Sequence, residues 1–242
     1  PENKNYVDPL YGKTYLPRKF KIGFAIPPVN DMDVFTNCLG FIAIVENDQL
    51  VGYNLVVGGG MGRSHGNAET YPRVGDVIGF FTPDKLVDIA KAVLMIHRDY
   101  GDRTDRKHAR LKYVVAEKGV DWTRAEVEKL ANVKLAAAKP YNFTTMGDLY
   151  GWGKAVDGSW FLGLFAETGR VKDVESHEMK TGLRRVAEKF PHVEFRLTAN
   201  QNVILANVPE GDKAAITALL ADHGVQTENQ ASVLHAASIA CP

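Results

Sequence analysis

Four stretches of the chain combine residue types and spacings suited to chemistry. In Tyr15-Leu16-Pro17-Arg18-Lys19-Phe20-Lys21 the two lysines stand two apart, and residues two apart on a strand face the same way, so their ammonium groups project side by side. Such a pair repels itself unless an anion sits there. Arg18, on the opposite face, can fork onto a second carboxylate or phosphate. Lysines that block association at a sheet edge explain the same pair equally well. In Gly58-Gly59-Gly60-Met61-Gly62 the glycines can take positive backbone dihedrals, and their N–H groups can cradle an anion as a nest. The spacing is neither a dinucleotide fingerprint nor a P-loop. His65 and Asn67 follow as candidate catalytic or ligating groups, with a ligand-free glycine turn as the plain alternative. Thr198-Ala199-Asn200-Gln201-Asn202 packs hydrogen-bonding side chains at a strand end, more than turn chemistry alone requires, and reads as a ligand contact. Asp102 to Lys112 is a run whose cations outnumber its acids. With no aromatics interleaved for stacking, it reads as a solvated face.

The composition limits what these groups serve. In 242 residues, 29 Lys+Arg balance 29 Asp+Glu and 45% are hydrophobic, so a core forms and the global charge of a nucleic-acid binder is excluded. No apolar stretch approaches the ~20 residues of a membrane span. Cys38 and Cys241 are too few for a disulfide framework, a structural zinc site or a four-thiolate cluster, which points to a reducing, cytoplasmic setting. The opening on Pro1 without Met and the patternless close at Cys241-Pro242 suggest an internal piece of a longer protein.

Positioning falls to an α+β set of elements. Strands are predicted over 21–26, ending at Pro27-Pro28, and over 40–45 and 50–57 as a hairpin around Asn47-Asp48. Thr82-Pro83-Asp84 caps a helix running to about Arg98, and Thr123 with Glu126 forms a capping box for another ending near Asn132. Lys139-Pro140 marks a candidate boundary. Beyond it lie a strand over 160–166, a turn over 167–170, a helix over 181–190, strands over 193–197 and 202–208, and a helix over 212–222 closing near Gly224. From Val225 onward there is little pattern.

Together these motifs resemble the sulfite and nitrite reductase haemoprotein family, most closely the NADPH-dependent sulfite reductase haemoproteins. The resemblance runs in order through residues 15–21, Gly58 to Gly60 with His65-Gly66-Asn67, residues 102–107, Lys180-Thr181-Gly182-Leu183 and residues 198–202. It implies sirohaem bridged by a cysteine thiolate to a [4Fe-4S] cluster, and six-electron reduction of sulfite to sulfide in sulfate assimilation and cysteine biosynthesis. Lys19 and Lys21 match the lysines that hold sulfite and supply protons, and Arg18 joins them at the anion site. Gly58, Gly59, Gly60, His65, Asn67, Arg106, Asn200 and Gln201 fall where the family touches the macrocycle. Cys241 falls at the first cluster cysteine, with the others expected beyond Pro242 and the remaining substrate arginines upstream. The isolated chain is therefore expected to lack the cluster and not to turn over. Related nitrite reductases tend to carry Asn where Lys21 stands, which favours sulfite. The implied fold is α+β: an N-terminally incomplete sirohaem-binding domain over 1–143, a ferredoxin-like half-domain over 144–224, and a linker with the start of a second sirohaem domain over 225–242. The half-domain would normally pair with an upstream copy, leaving an apolar sheet face exposed or dimerised here. Sulfite and an NADPH-dependent flavoprotein are the implied partners, with neither nucleic acid nor membrane. The alternatives are a ferredoxin-dependent sulfite or nitrite reductase, a non-catalytic tetrapyrrole- or anion-binding module, and a purely structural domain.

Overall fold

The computed structural model describes residues 6–228 and 232–238, so Cys241 lies outside the described residues. The chain forms two units, Pro1–Met146 and Gly147–Pro242. In chain order the first contains β1 (Ile22–Ala25), β2 (Val29–Asn30), β3 (Leu39–Glu46), β4 (Gln49–Val57), β5 (Asp76–Phe81), α1 (Leu86–Tyr100), α2 (Leu111–Lys118), α3 (Val120–Ala131) and β6 (Thr145–Met146). The second contains β7 (Gly151–Lys154), β8 (Trp160–Leu164), β9 (Asp173–Val174), β10 (His177–Glu178), α4 (Met179–Lys189), β11 (Glu194–Leu197), β12 (Val203–Val208), α5 (Lys213–Asp222) and α6 (Val233–Ala237).

The first unit is built on a sheet in the order β1-β3-β4-β5, parallel between β1 and β3 and antiparallel elsewhere. Asn47 and Asp48 both take left-handed backbone (φ 50° and 59°), which matches the hairpin turn to the twist of β3 and β4. Alternation along these strands makes two cores. Leu39, Phe41, Leu55 and Val57 face α1 to α3, against Ile89, Val93, Ile96, Leu111, Val115 and Val127. Ala25, Ile42 and Val56 face the other way, against Val34, Phe35 and Phe143. Each fully buried aliphatic or aromatic side chain contributes about 1.5–3 kcal/mol.

Two helix starts differ from expectation. Pro83–Lys85 forms a 3-10 turn before α1, and the Thr82 hydroxyl donates to Asp84 Oδ1 (2.5 Å) rather than capping the backbone. The capping box is absent, because α3 begins three residues earlier than Thr123, after Gly119 (φ 87°). Thr123 is buried inside the helix and its hydroxyl donates to the Gly119 carbonyl (2.8 Å). Glu126 instead accepts from Lys129 Nζ (3.1 Å). α2 was not predicted at all: it rises out of the charged run.

The second unit is an antiparallel sheet in the order β11-β12-β8-β7. α4 and α5 pack on one face, where Leu162, Leu164, Leu183, Val186, Leu205, Val208, Ile216 and Leu220 form the core. The other face is partly self-covered rather than openly apolar. The Phe161 ring lies on Gly153, where an added Cβ would come within 2.2 Å of it, and Arg196 pairs with Glu194 at 2.6 Å. The chain is α+β, and no helix among the described residues is long and apolar enough to cross a membrane.

Candidate functional site

Strand register gathers one set of sequence motifs at a single end of the first sheet. Ile22 stands opposite Leu39, whose N–H donates to the Lys21 carbonyl (3.1 Å). One strand over, the Gly58 and Gly59 N–H groups donate to the Cys38 and Asn37 carbonyls (2.9 and 3.0 Å), and Gly60 and Arg73 exchange backbone bonds of 2.8 and 3.0 Å. The anion nest read from the glycines is thereby corrected: the N–H groups of Gly58, Gly59 and Gly60 are all spent inside the protein. Close approach explains the glycines instead. A Cβ on Gly59 would fall 2.2 Å from the Phe35 carbonyl oxygen, and one on Gly58 (φ 77°) would fall 2.8 Å from Arg73 Nη1.

The charged run is not a solvated face throughout. Lys112 is fully buried, and its Nζ donates to the carbonyls of Gly60 (3.1 Å), Gly62 (2.8 Å) and Tyr71. It lies 4.9 Å from the Tyr113 ring centre and forms no ion pair among the described residues. Burial, helped by the Arg110 charge, pushes its pKa below the ordinary lysine value. Lys112 therefore holds the glycine segment by its carbonyls and leaves a positive charge in the wall behind it.

The stretch before β1 is irregular, and side chains from the end of α1 onward tie it down. Arg98 Nη1 donates to the Leu10 carbonyl (2.6 Å), Arg103 to the Thr14 and Tyr15 carbonyls (3.1 and 2.6 Å), and His97 Nε2 meets the Arg18 carbonyl at 3.2 Å. Phe20 packs on the core and on the His97 ring (5.6 Å between centres), with Lys19 and Lys21 exposed on either side of it. The lysines thus lie just ahead of the strand rather than on it. Arg18 Nε is buried with no partner, a donor left wanting an acceptor. The ion pairs near this end join Arg73 to Asp76 (2.5 Å) and Arg98 to Asp99 (2.6 Å). Arg18, Lys19, Lys21 and Arg63 enter none among the described residues, and neither does Arg106, whose run pairs His108 with Asp105 (3.3 Å). His65 is exposed. Asn67 shapes its own loop, accepting from the Glu69 N–H (3.0 Å) and, at its carbonyl, from the Thr70 hydroxyl (2.9 Å).

In the second unit, Thr198, Asn200 and Asn202 of the 198–202 cluster turn their side chains inward. Thr198 Oγ1 and Asn202 Nδ2 donate to Asp148 Oδ2 (2.5 and 2.6 Å), and Asn200 Nδ2 to Asp148 Oδ1 (3.0 Å). Asn202 Oδ1 also accepts from the Ala166 N–H (2.9 Å). Gln201, with left-handed backbone (φ 67°), is exposed and stands outside this network. Sequence reasoning missed Lys112, Arg103 and Asp148. Lys112 and Arg103 sit in a run that looks uniformly wet, and Asp148 lies fifty residues from the Thr198 it meets, with no local signal. Cys38 is buried in the helix-side core, and no group of three or more His, Cys, Asp and Glu is arranged to hold a metal among the described residues.

Comparison with known proteins fits this architecture. Residues 2–135 match the family described as nitrite and sulphite reductase 4Fe-4S domain, and residues 154–223 match the nitrite/sulfite reductase ferredoxin-like half domain. The chain belongs to the nitrite and sulphite reductase family. It is 47% identical over 241 residues to the "Sulfite reductase [NADPH] hemoprotein beta-component" of Geobacillus thermodenitrificans (strain NG80-2), covering 100% of this chain and 42% of that protein. It is 50% identical over 234 residues to the protein of that name from Myxococcus xanthus (strain DK1622), covering 97% and 42%. The chain thus spans about two fifths of the length of these relatives. The Mycobacterium tuberculosis NirA protein shares the fold, with a TM-score of 0.72 at 23% identity over 88% of this chain and 37% of that one.

Proposed function

We propose that the chain is part of an assimilatory sulfite reductase haemoprotein, and that the cation-bearing end of its first sheet binds the anionic rim of sirohaem and the sulfite dianion. The observation that carries this is the group of cations without carboxylate partners, including the buried, unpartnered Arg18 Nε. A tetrapyrrole bearing many carboxylates fits that donor set. Arg18 and Arg106 are the residues assigned to its carboxylates, with Gly58 to Gly60, His65 and Asn67 as the adjoining surface. When bound, sirohaem coupled to a [4Fe-4S] cluster supplies the electrons for reduction of sulfite to sulfide. Among the described residues no group of His, Cys, Asp and Glu is arranged to hold the cluster. In this reading Lys19 and Lys21 hold the substrate by charge and give Nζ protons to the oxygen that leaves as water. Lys21 is the basis for sulfite rather than nitrite. An NADPH-dependent flavoprotein is the assigned electron donor of the whole protein, with ferredoxin the alternative.

The test is a visible-absorption titration of the chain with sirohaem beside the Lys19→Ala/Lys21→Ala double variant. Saturable binding by the parent, weakened about tenfold or more in the variant (about 1.4 kcal/mol), supports the reading. Equal affinity in the two folded proteins overturns it.

A further inference from the structure

Arg103 belongs to a motif that the proposed site leaves unused, since only Arg106 of that run is assigned to a ligand. Its guanidinium makes three bonds, all to backbone carbonyls: Nη1 to Thr14 (3.1 Å), and Nη2 to Tyr15 (2.6 Å) and Arg98 (2.9 Å). One fork thereby joins the last turn of α1 to two consecutive residues of the irregular stretch that leads into Arg18, Lys19 and Lys21. Tyr15, the second of the two, has left-handed backbone (φ 56°), a conformation that costs a non-glycine residue of order 1 kcal/mol and persists only where its surroundings impose it. Three residues further on, His97 Nε2 holds the Arg18 carbonyl (3.2 Å). A carbonyl only accepts, so Nε2 carries the proton. The stretch is pinned from one side at two points, and the three cations that follow have no partners of their own to fix them.

We propose that Arg103 is a positioning residue that orders the Thr14–Arg18 backbone so that the cations of the site converge on one anionic ligand. This rests on the proposed function, because the ligand is the one assigned there. The planar fork suits the task in a way a single ammonium does not, since it spans two neighbouring carbonyls at once. Arg103 is exposed, so its loss leaves carbonyls that water can reach, and the effect is local rather than global.

The experiment uses the full chain and has two arms. In the first, native-state trypsin cleavage after Lys19 and Lys21 is followed by mass spectrometry in the parent, Arg103→Ala and Arg103→Lys. Local opening governs this rate, and about a fivefold or greater increase is expected in Arg103→Ala, with partial recovery in Arg103→Lys and an unaltered thermal midpoint. An unchanged cleavage rate overturns the proposal. In the second arm, Arg103→Ala is titrated with sirohaem in the parent and in the Lys19→Ala/Lys21→Ala background. A loss of about tenfold in the parent that shrinks in the double-variant background marks an effect exerted through the lysines. An equal loss in both backgrounds overturns that role. If the lysine variant alone binds as the parent does, the functional reading fails, and faster cleavage in Arg103→Ala would then show ordering of the segment without service to this ligand.

Discussion

Each unit has a polar hub at a strand end, and the two hubs are built with opposite charge. Lys112 in the first unit bonds only to acceptors, the carbonyls of Gly60, Gly62 and Tyr71. Asp148 in the second bonds only to donors, from Thr198, Asn200 and Asn202. Both lock an irregular segment next to a strand end. They differ in what surrounds them. The Asp148 network uses up the polar side chains of its turn, leaving Gln201 aside, whereas Lys112 satisfies backbone and leaves Arg18, Lys19, Lys21, Arg63 and Arg106 uncommitted. Polar residues close together in sequence are therefore poor evidence of a binding site until their partners are counted, and unpartnered ones are better evidence.

The comparison is broken most forcefully at Lys112. Lys112→Met keeps the stem and removes the three donors: the part-buried carbonyls of Gly62 and Tyr71 lose their partner, at about 1–3 kcal/mol for each acceptor left unsatisfied, while the Gly60 carbonyl keeps the Arg73 N–H (3.0 Å). Relief of the charge's burial, visible in the lowered pKa, offsets part of this. A net loss of about 3 kcal/mol in urea unfolding is expected. Stability equal to the parent's would mean that the glycine segment is held by packing alone.

Asp148→Ala tests the opposite hub. It leaves Thr198, Asn200 and Asn202 without their common acceptor, but the site is only half-buried, so water replaces some of the lost bonds. About 2 kcal/mol of destabilisation is expected, with Asp148→Asn recovering part through its remaining acceptor oxygen. A drop as large as that of Lys112→Met would show that partial burial does not set the difference between the hubs.

Much of the sheet framework was legible because its signals are local. Alternating apolar residues, the Asn47-Asp48 turn and the helical spacing after Pro83 fall within a few residues of each other, and β1, β3, β4, β8, β11 and β12 with α1, α4 and α5 lie close to where the sequence predicts them, whereas the sheet strands β5 and β7 are not predicted. The α2 helix was not legible, since Lys112 and Tyr113 break its apolar stripe and the lysine's burial depends on carbonyls some forty to fifty residues away. The Thr123 and Glu126 spacing of a capping box occurs here inside a helix, because Gly119 ends α2 and opens α3 first. At the candidate site, the cations could be picked out by type and the glycines by spacing. What the sequence hid was direction: whether a glycine N–H, an asparagine amide or an arginine fork turns outward to a ligand or inward to the chain is decided by residues far away.

The smallest expected effect sharpens the comparison within the first unit. His97 is fully buried, with Nε2 donating to the Arg18 carbonyl and Nδ1 without a partner, so a second proton on the ring would be buried unsatisfied. Burial, partly opposed by the Arg18 contact and reinforced by the Arg103 charge, holds its pKa below the ordinary value near 6.5. In the unfolded chain the same ring takes its proton as pH falls through about 6.5, so the unfolded state binds the proton first. The stabilisation is therefore present above that pH and lost as pH falls toward the lower folded-state value. His108 works in the other direction, its pKa raised by the Glu69 carbonyl and by Asp105, so the raw pH profile of the parent mixes the two. His97→Gln keeps one N–H for the Arg18 carbonyl and cannot charge, while His108 is common to both proteins. The difference between the two unfolding profiles from pH 7.5 to 5.5 isolates His97, and the variant is expected to lose less stability on acidification than the parent. Parallel profiles would mean that the ring gains its proton without cost, and that the fold does not depend on a neutral histidine at the Arg18 carbonyl.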